Sequence, residues 1–556
     1  MVDAWQCHRL MPSRATCHIH WVSETVSSPT RAFASVAFLA AAALSCVVIL
    51  IPSIAADKPG IGAFIALLTG GVLMSRCRLH AISQGFFWLV LPAAALLIPT
   101  VTVARSFRSL DMVSVLFHAH AGVADAGIEG LETEILQAVL AAVFMVISLW
   151  ALARLWGSTW RKILSMALLL VLINPFVTAF AVLAVTPGPK ADLTKVLVTP
   201  RLGDVPTPAV DLLLIYLEGT DRQFADPAVW GDAYAPLHNF ASEGVTFNRV
   251  SQIVATGWSL AGVTASLCGV PIVPRGLLYG MNFEKMHSYM PGATCLGDLA
   301  QEAGYQTAFV VGGPLEFGGL DMLFGPEHGF KKAVGRDELR KIYPKPETDA
   351  ALIGWTLDDQ LVFKHARALH VEMLAKPGPY ALVIETIGPH GQKGYLSRHC
   401  AADGKAQFSR DTDRVLRCTI DDAIQFVKEA RARQAATRPG HPLLVVLQSD
   451  HLNHDALTPN VATEYGGYNT VMMAGADLPA GLVVNKPAGM IDVYPTILQA
   501  LGLQHPPYEA GLGRSLLASA PTLVETYGTA DLEPMVVMNP DLGNIIWQLG
   551  DYKPAL

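Results

Sequence analysis

Two apolar stretches, Asp211-Leu-Leu-Leu-Ile-Tyr-Leu-Glu218 and His441-Pro-Leu-Leu-Val-Val-Leu-Gln448, decide the fold of this chain. Each has the length of one strand and is apolar on both faces, which is what a parallel sheet covered by helices requires. The runs Gln306–Val311 and Tyr380–Glu385 have the same character, and helical stretches such as 296–303 and 412–432 alternate with them. The sequence therefore predicts an α/β domain with a central, mostly parallel sheet flanked by helices.

The composition indicates that this domain is not the whole protein. With 556 residues the chain has room for a membrane part beside one large globular domain. Its charged fraction is 16%, well below the roughly 25% that is usual for soluble proteins. The net charge of −7 and the lack of a basic stripe in the sequence argue against nucleic acid as a partner.

Most of the apolar excess lies before residue 190. Segments 33–56, 59–75, 85–104, 132–153 and 163–185 each have about the length that a helix needs to cross a hydrocarbon core of roughly 30 Å. We therefore predict a cytoplasmic N-terminus over 1–32 and a transmembrane region of about five helices over 33–185. A cleaved signal peptide in place of the first span is the alternative.

The charges between these segments set the predicted orientation. Basic residues lie before the first segment (Arg9, Arg14, Arg31), between the second and third segments (Arg76, Arg78) and between the fourth and fifth segments (Arg154, Arg161, Lys162). The long connection between the third and fourth segments is acidic and holds Asp111, Asp125, Glu129, Glu132 and Glu134. By the positive-inside rule, an odd number of spans places everything after residue 186 outside the cytoplasm. That exported part is divided into a linker over 186–210, a catalytic domain over 211–510 and a C-terminal extension over 511–556.

The cysteines of the exported part are even in number. Cys268 and Cys295 are close in sequence, and so are Cys400 and Cys418. In an oxidising compartment these two pairs are expected to form disulfides. The alternative is that all four are small buried hydrophobic residues.

Ionisable residues follow two of the predicted strands. Glu218 ends the first run, and Ser449-Asp450-His451 follows the last one. Because ligand sites of open parallel sheets lie at the carboxyl ends of the strands, we expect these side chains to meet. Carboxylates with one imidazole suit Zn²⁺ or Mn²⁺ better than Ca²⁺. Taken singly, each residue could equally be a helix cap or a surface group, and His454 is either a ligand of a second ion or an ordinary loop histidine.

A hydroxyl group precedes a helix of small residues in the stretch Thr256-Gly-Trp-Ser259-Leu-Ala-Gly-Val-Thr-Ala-Ser266. Free backbone N–H groups and the positive end of the helix dipole at such a position suit an anionic phosphate intermediate. A nearby metal ion would lower the pKa of the hydroxyl group. The alternative is an ordinary helix N-cap.

Together, Glu218, Thr256-Gly-Trp-Ser259, Pro389-His390 and Ser449-Asp450-His451 resemble the alkaline phosphatase/sulfatase superfamily over about residues 210–505. Within it the chain looks like the membrane-anchored branch of lipoteichoic acid synthases, phosphoethanolamine transferases and phosphoglycerol transferases of periplasmic glucans. The likeness to the phosphoglycerol transferases rests on three stretches: 256–269, 388–400 and, less specifically, Ile491-Asp-Val-Tyr-Pro-Thr-Ile497.

This resemblance implies a set of site residues. Glu218, Thr256, Asp450 and His451 correspond to ligands of a divalent ion, with Mn²⁺ favoured and Zn²⁺ or Mg²⁺ as alternatives. Thr256 also corresponds to the nucleophile, and His390 to a residue that contacts the substrate phosphate. In two places, Gly219-Thr220 after Glu218 and the Gly-rich segment 311–321, the chain departs from the family pattern, which leaves the head-group pocket undefined.

The implied function is transfer of a phosphoglycerol head group from phosphatidylglycerol to a periplasmic glucan or related glycan through a phosphothreonine. The implied location is the bacterial inner membrane, with several spans and the catalytic domain in the periplasm. A phosphoethanolamine transferase would use the same site with another donor. A sulfatase is disfavoured, because Thr256 cannot mature to formylglycine, and an inactive membrane sensor is disfavoured by the complete set of site residues.

Overall fold

The computed structural model describes residues 89–106, 132–155, 160–178, 181, 189–273, 288–391, 393–453, 461–462 and 464–548. The predicted cytoplasmic segment 1–32, the predicted spans 33–56 and 59–75, and His454 lie outside the described residues.

Four helices precede the sheet: α1 (Leu91–Ala95), α2 (Leu97–Ser106), α3 (Glu132–Leu155) and α4 (Trp160–Leu172). They overlap the three later spans that the sequence predicts. In the described part of the chain, no helix has both the length and the apolar character that crossing a membrane requires. The region of about five transmembrane helices therefore stays a prediction.

The domain that follows is built on one eight-stranded sheet with the order β14-β2-β13-β11-β1-β8-β4-β5. Its strands are β1 (Asp211–Leu217), β2 (Val245–Phe247), β4 (Gln306–Val311), β5 (Lys332–Val334), β8 (Tyr380–Glu385), β11 (Leu443–Ser449), β13 (Val471–Gly475) and β14 (Leu482–Val484). All neighbouring strands are parallel except for β13, which runs antiparallel to β11 and to β2. The predicted α/β class with a mostly parallel sheet is confirmed.

The other strands are short and form one three-stranded sheet and three pairs in the described residues. The three-stranded sheet contains β3 (Val250–Ser251), β12 (Tyr468–Asn469) and β15 (Ala488–Gly489), and the pairs are β6 (Leu352–Ile353) with β7 (Thr356–Leu357), β9 (Gly394–Leu396) with β10 (Gln407–Ser409), and β16 (Glu509–Ala510) with β17 (Gly513–Arg514). The helices of the domain are α5 (Pro227–Trp230), α6 (Ala235–Ala241), α7 (Ser259–Cys268), α8 (Leu296–Glu302), α9 (Leu320–Leu323), α10 (Arg336–Ile342), α11 (Lys345–Ala351), α12 (Asp359–Leu374), α13 (Thr412–Thr437), α14 (Val493–Ala500), α15 (Leu523–Tyr527), α16 (Thr529–Val537) and α17 (Pro540–Trp547).

Strand β1 shows why its sequence is apolar throughout. Leu212, Leu214 and Tyr216 face a core that includes α7, α8 and α14. Leu213, Ile215 and Leu217 face a second core with α12 and α13. Because side chains alternate across a strand, a strand that is covered on both faces needs an apolar residue at nearly every position.

Chain segments on both sides of the predicted catalytic domain also pack into its core. Leu193 is buried there, and Val198 forms a β-bridge with Gly511. Near the other end, Leu542 is buried in the same core, and the indole N–H of Trp547 donates to the carbonyl of Val273 at 2.9 Å. Residues 193–198 and 511–548 thus contribute to the stability of the α/β domain.

Both predicted disulfides are present. Cys268, the last residue of α7, is bonded to Cys295, which precedes α8. Cys400 is bonded to Cys418 on α13. The prediction that these four residues pair is confirmed.

The disulfides predict a measurable loss of stability on removal. They close loops of 27 and 18 residues, so each should contribute about 2–4 kcal/mol to the free energy of unfolding. Replacing Cys400 and Cys418 together by Ser should lower the thermal unfolding temperature of the purified full chain. Replacing Cys77, which belongs to neither pair, is the control. Four alkylatable thiols at these positions in exported protein would contradict the pairing.

Candidate active site

The register of the sheet brings the ionisable strand ends together. Leu217 of β1 pairs with Ser449 of β11, so the next residues, Glu218 and Asp450, leave the sheet side by side. The Nε2 atom of His451 lies 3.2 Å from Glu218 Oε1 and 3.2 Å from Asp450 Oδ2. The ligand atoms of these three residues all lie within 4.8 Å of one another, and all three residues are buried. We call them the acid–histidine cluster.

Hydrogen bonds orient the cluster for a cation. Oδ1 of Asp450 accepts the backbone N–H groups of Gly219 and His451, both at 2.9 Å. The other oxygen, Oδ2, is buried without a hydrogen-bond partner. Nδ1 of His451 lies 2.7 Å from the carbonyl of Leu452, which leaves Nε2 to face the carboxylates. A carboxylate oxygen that lacks a hydrogen bond, an imidazole nitrogen and a second carboxylate together form a donor set that fits a divalent ion.

Two other groups of metal-ligand type occur in the described residues, but both contain disulfide-bonded cysteines. They are His399, Cys400 and Cys418, and Cys295, Asp298 and His328. A sulfur atom in a disulfide has no thiolate to offer to a metal. Of the three groups, the acid–histidine cluster is therefore the candidate metal centre.

The cluster concentrates charge in a buried place. Burial is the largest influence on the pKa of Glu218 and raises it, but the charges of His451 and His390 and the hydrogen bonds from His451 and Asp450 together outweigh burial and bring that pKa to about 2. Burial and the charge of Glu218 raise the pKa of Asp450 to about 7. Burial lowers the pKa of His451, but the two carboxylates outweigh it and raise that pKa to about 10. Positive charge between the two carboxylates is thus strongly favoured.

The start of α7 supplies hydroxyl groups beside the cluster. Ser259, the first residue of the helix, donates through Oγ to Glu218 Oε2 at 3.1 Å and lies 3.4 Å from His451 Nε2. Thr256, three residues earlier, is fully buried, and its hydroxyl donates to the carbonyl of Ile253 at 2.8 Å. The hydroxyl that contacts the cluster directly is therefore that of Ser259, and the role of Thr256 as ligand and nucleophile stays a prediction.

A glycine explains how α7 approaches the cluster so closely. A Cβ atom on Gly262 would lie 1.7 Å from the carbonyl oxygen of Asp450. The small residues around it, Ala261 and Ala265, are fully buried in the same helix. The small-residue pattern of this stretch is thus a packing requirement, because it lets the helix N-terminus lie directly against the end of β11.

His390 lies at the partly exposed edge of the site. Its ring packs edge-on against Trp355 and Tyr395, with centroids 6.0 and 5.6 Å apart. Burial lowers the pKa of His390, while the charge of Glu218 opposes this effect and that of His451 adds to it. The charges of Glu218 and His451 thus reach the His390 ring. The contact of His390 with a substrate phosphate stays a prediction.

Glu385 is a buried acidic residue that sequence reasoning missed. It ends β8 and pairs with Tyr216 of β1, two residues before the level of Glu218. Burial, with the charges of Asp450 and Glu218, raises the pKa of Glu385 well above its usual value. Its Oε2 atom is buried without a hydrogen-bond partner. The signal was available, because Glu385 closes one of the four apolar runs, as Glu218 does.

The packing of α7 gives a test of the cluster's geometry. Gly262→Ala should push the helix away from Asp450 and weaken Mn²⁺ binding by about 10–100-fold, the effect expected when support around a metal ligand is lost. Gly466→Ala is the matched control, because the nearest atom to its added Cβ would be 3.9 Å away. Mn²⁺ titration of the two full-length variants measures the difference. Equal affinity in both would contradict the close-packing argument.

Known proteins resemble this chain over the same domain. A family model described as Sulfatase matches residues 213–503. Phosphoglycerol transferase I of Citrobacter koseri is 27% identical over 343 residues, which is 61% of this chain and 43% of that protein. Phosphoglycerol transferase I of an Escherichia coli O6:K15:H31 strain is 27% identical over 319 residues, 56% of this chain and 40% of that protein. The match thus spans less than half the length of these curated relatives.

A solved structure of an alkaline phosphatase superfamily protein from Vibrio parahaemolyticus aligns with a TM-score of 0.45 and 17% identity. The alignment covers 59% of this chain and 74% of the other. The range that the family model matches is more than half of the chain and includes Glu218, Thr256, His390, Asp450 and His451. The chain belongs to the sulfatase family.

Proposed function

We propose that this chain is a metal-dependent phosphotransferase that moves a phosphoglycerol group from phosphatidylglycerol to a glycan, such as a periplasmic glucan. The observation that carries the proposal is the acid–histidine cluster, which lies against the N-terminus of a helix whose first residue, Ser259, donates its hydroxyl to Glu218. The relatives named phosphoglycerol transferase I support the choice of transferred group.

Four residues would hold the metal: Glu218, Asp450 and His451, with Thr256 as the ligand that the resemblance adds. The Oδ2 atom of Asp450, which is buried without a hydrogen-bond partner, supports this set. A bound divalent ion, with Mn²⁺ favoured over Zn²⁺ or Mg²⁺, would lower the pKa of the attacking hydroxyl and neutralise charge on the phosphoryl oxygens.

The transfer proceeds in two displacements at phosphorus. In the first, Oγ1 of Thr256 loses its proton and attacks the phosphorus of phosphatidylglycerol. The bond from phosphorus to the diacylglycerol oxygen breaks, and that oxygen takes up a proton as diacylglycerol leaves. In the second, a sugar hydroxyl of the glycan attacks the phosphothreonine, loses its proton, and releases Thr256, whose oxygen is protonated again.

We infer that His390 assists both displacements. It is half-buried at the edge of the site, and burial lowers its pKa, so at neutral pH its ring can accept a proton from an attacking hydroxyl. Protonated, it can donate to a phosphoryl oxygen. Trp355 and Tyr395 limit the orientations that its ring can adopt.

A membrane anchor suits a lipid donor. We propose that residues 33–185 hold the chain in the bacterial inner membrane and that the domain faces the periplasm. A tethered domain meets the lipid head groups at high effective concentration. The two disulfides support an oxidising compartment, because structural disulfides are rare in the cytosol.

A covalent adduct gives the test of this proposal. Full-length protein incubated with phosphatidylglycerol vesicles without a glycan should carry a phosphoglycerol group on the peptide that contains Thr256, detected by mass spectrometry. Thr256→Ala should lose the adduct and reduce turnover to background, because it removes the attacking oxygen. Thr256→Ser keeps an oxygen and should retain part of the activity, and Ser259→Ala should remain measurably active.

Two results would contradict the proposal. An adduct that persists in Thr256→Ala and disappears in Ser259→Ala would move the nucleophile to the residue that contacts Glu218 directly. A phosphoethanolamine adduct with phosphatidylethanolamine vesicles, and none with phosphatidylglycerol, would assign the other donor to the same site.

A further inference from the structure

Two consecutive carboxylates, Asp358 and Asp359, are buried at the N-terminus of α12. Neither belongs to the acid–histidine cluster. A buried carboxylate costs free energy unless hydrogen bonds compensate for the lost water, so its partners indicate what it does. The N-terminus of a helix favours negative charge, which reduces this cost. Both residues accept backbone N–H groups from the segment that carries His390.

Asp359 binds the beginning of this segment. Its Oδ1 atom accepts the backbone N–H of Ile387 at 2.7 Å, and its Oδ2 atom accepts the N–H of Gly388 at 3.1 Å. Oδ2 also accepts the hydroxyl of Thr419 on α13 at 3.2 Å. The two bound N–H groups come immediately after β8 and just before His390. One carboxylate therefore fixes two consecutive peptide groups that lead to this residue.

Asp358 binds the far end of the same segment. Its Oδ1 atom caps α12 by accepting the N–H of Leu361 at 3.1 Å, and its Oδ2 atom accepts the N–H of Arg398 at 3.0 Å. Two residues later, Cys400 is bonded to Cys418. The segment 387–400, which we call the His390 loop, is thus tied to α12 and α13 at both ends.

The loop passes directly against Asp359. A Cβ atom on Gly388 would lie 1.8 Å from the Thr419 hydroxyl oxygen and 3.2 Å from Asp359 Oδ2. On the side of the cluster, the amide of Asn453 donates to the carbonyl of Pro389 at 3.2 Å. The backbone next to His390 is therefore held between Asp359 on one side and the segment that follows His451 on the other.

We propose that Asp359 is a positioning residue that sets where the His390 ring stands relative to the acid–histidine cluster. The two N–H groups of Ile387 and Gly388 need two acceptor oxygens, which a carboxylate has. An asparagine amide has one oxygen and would bring an NH₂ group against the second N–H. The kinetic part of this inference rests on the proposed phosphotransferase function.

The test compares Asp359→Asn with Asp211→Asn in the full-length protein. Asp211 is also a buried carboxylate and accepts the backbone N–H of Tyr380 at 2.9 Å, but at the opposite end of β8. Asp359→Asn should lower kcat for phosphoglycerol transfer by about tenfold to a hundredfold with little change in KM, because small displacements of a catalytic group have effects of this size. Asp211→Asn should keep kcat in the folded protein.

A double variant separates positioning from general destabilisation. In a His390→Ala background, Asp359→Asn should cause no further loss of kcat, since its effect acts through His390. Thr419→Val removes one of the three hydrogen bonds to Asp359 and should shift kcat in the same direction by a smaller factor. If Asp359→Asn does not fold, Thr419→Val still tests the positioning role of Asp359. An equal loss of kcat from Asp359→Asn with and without His390 would overturn the inference.

The rate at which diethyl pyrocarbonate modifies His390, followed by peptide mass, gives a readout that does not require phosphoglycerol transfer. Asp359→Asn should change this rate, whereas Asp211→Asn should not. A changed rate in a protein that transfers no phosphoglycerol would reject the proposed function and keep the positioning role. Unchanged rates in both Asp359→Asn and Thr419→Val would reject the positioning role.

Discussion

Two buried carboxylates and one imidazole are held against one another at the carboxyl edge of the sheet, and the rest of the site depends on this contact. Glu218 and Asp450 follow adjacent parallel strands at the same level, so the register of β1 and β11 holds the two carboxylates close together. Like charges in a buried place must be compensated by a positive charge. The imidazolium of His451 supplies this charge in the protein alone, and a divalent ion can supply it in its place.

The surrounding scaffold serves to hold that contact. Helix α7 approaches Asp450 at the distance that only a glycine at 262 permits, and this packing brings the hydroxyl of Ser259 to Glu218. The disulfide at Cys268 ties the end of the same helix to Cys295, the N-cap of α8. On the other side of the cluster, Asp358, Asp359 and the second disulfide hold the His390 loop. Each of these attachments limits how far a group around the cluster can move.

Much of this arrangement could be predicted from the sequence because it follows the strands. Apolar runs that are buried on both faces predicted the parallel sheet, and the rule that sites lie at the carboxyl ends of strands predicted that Glu218, Asp450 and His451 would meet. Glu385 ends an apolar run as Glu218 does, but its closeness to Asp450 and Glu218 depends on the register between β1 and β8, which a single sequence does not give. Asp358 and Asp359 were missed for a related reason, since their partners lie about 30 to 60 residues away and only tertiary packing brings them together.

Binding of a divalent ion by Glu218, Asp450 and His451 can be measured in wild-type protein and in Asp450→Asn. The asparagine keeps the size of the side chain and an oxygen for the backbone N–H groups of Gly219 and His451, but it removes the charge of Oδ2, which has no hydrogen-bond partner. Calorimetric titration with Mn²⁺, Zn²⁺ and Mg²⁺ compares the ion affinity of full-length Asp450→Asn with that of the full-length wild type. The wild type should bind at least one of these ions saturably, and Asp450→Asn should lose this binding. Undiminished affinity in the variant would contradict binding of the ion by these three residues.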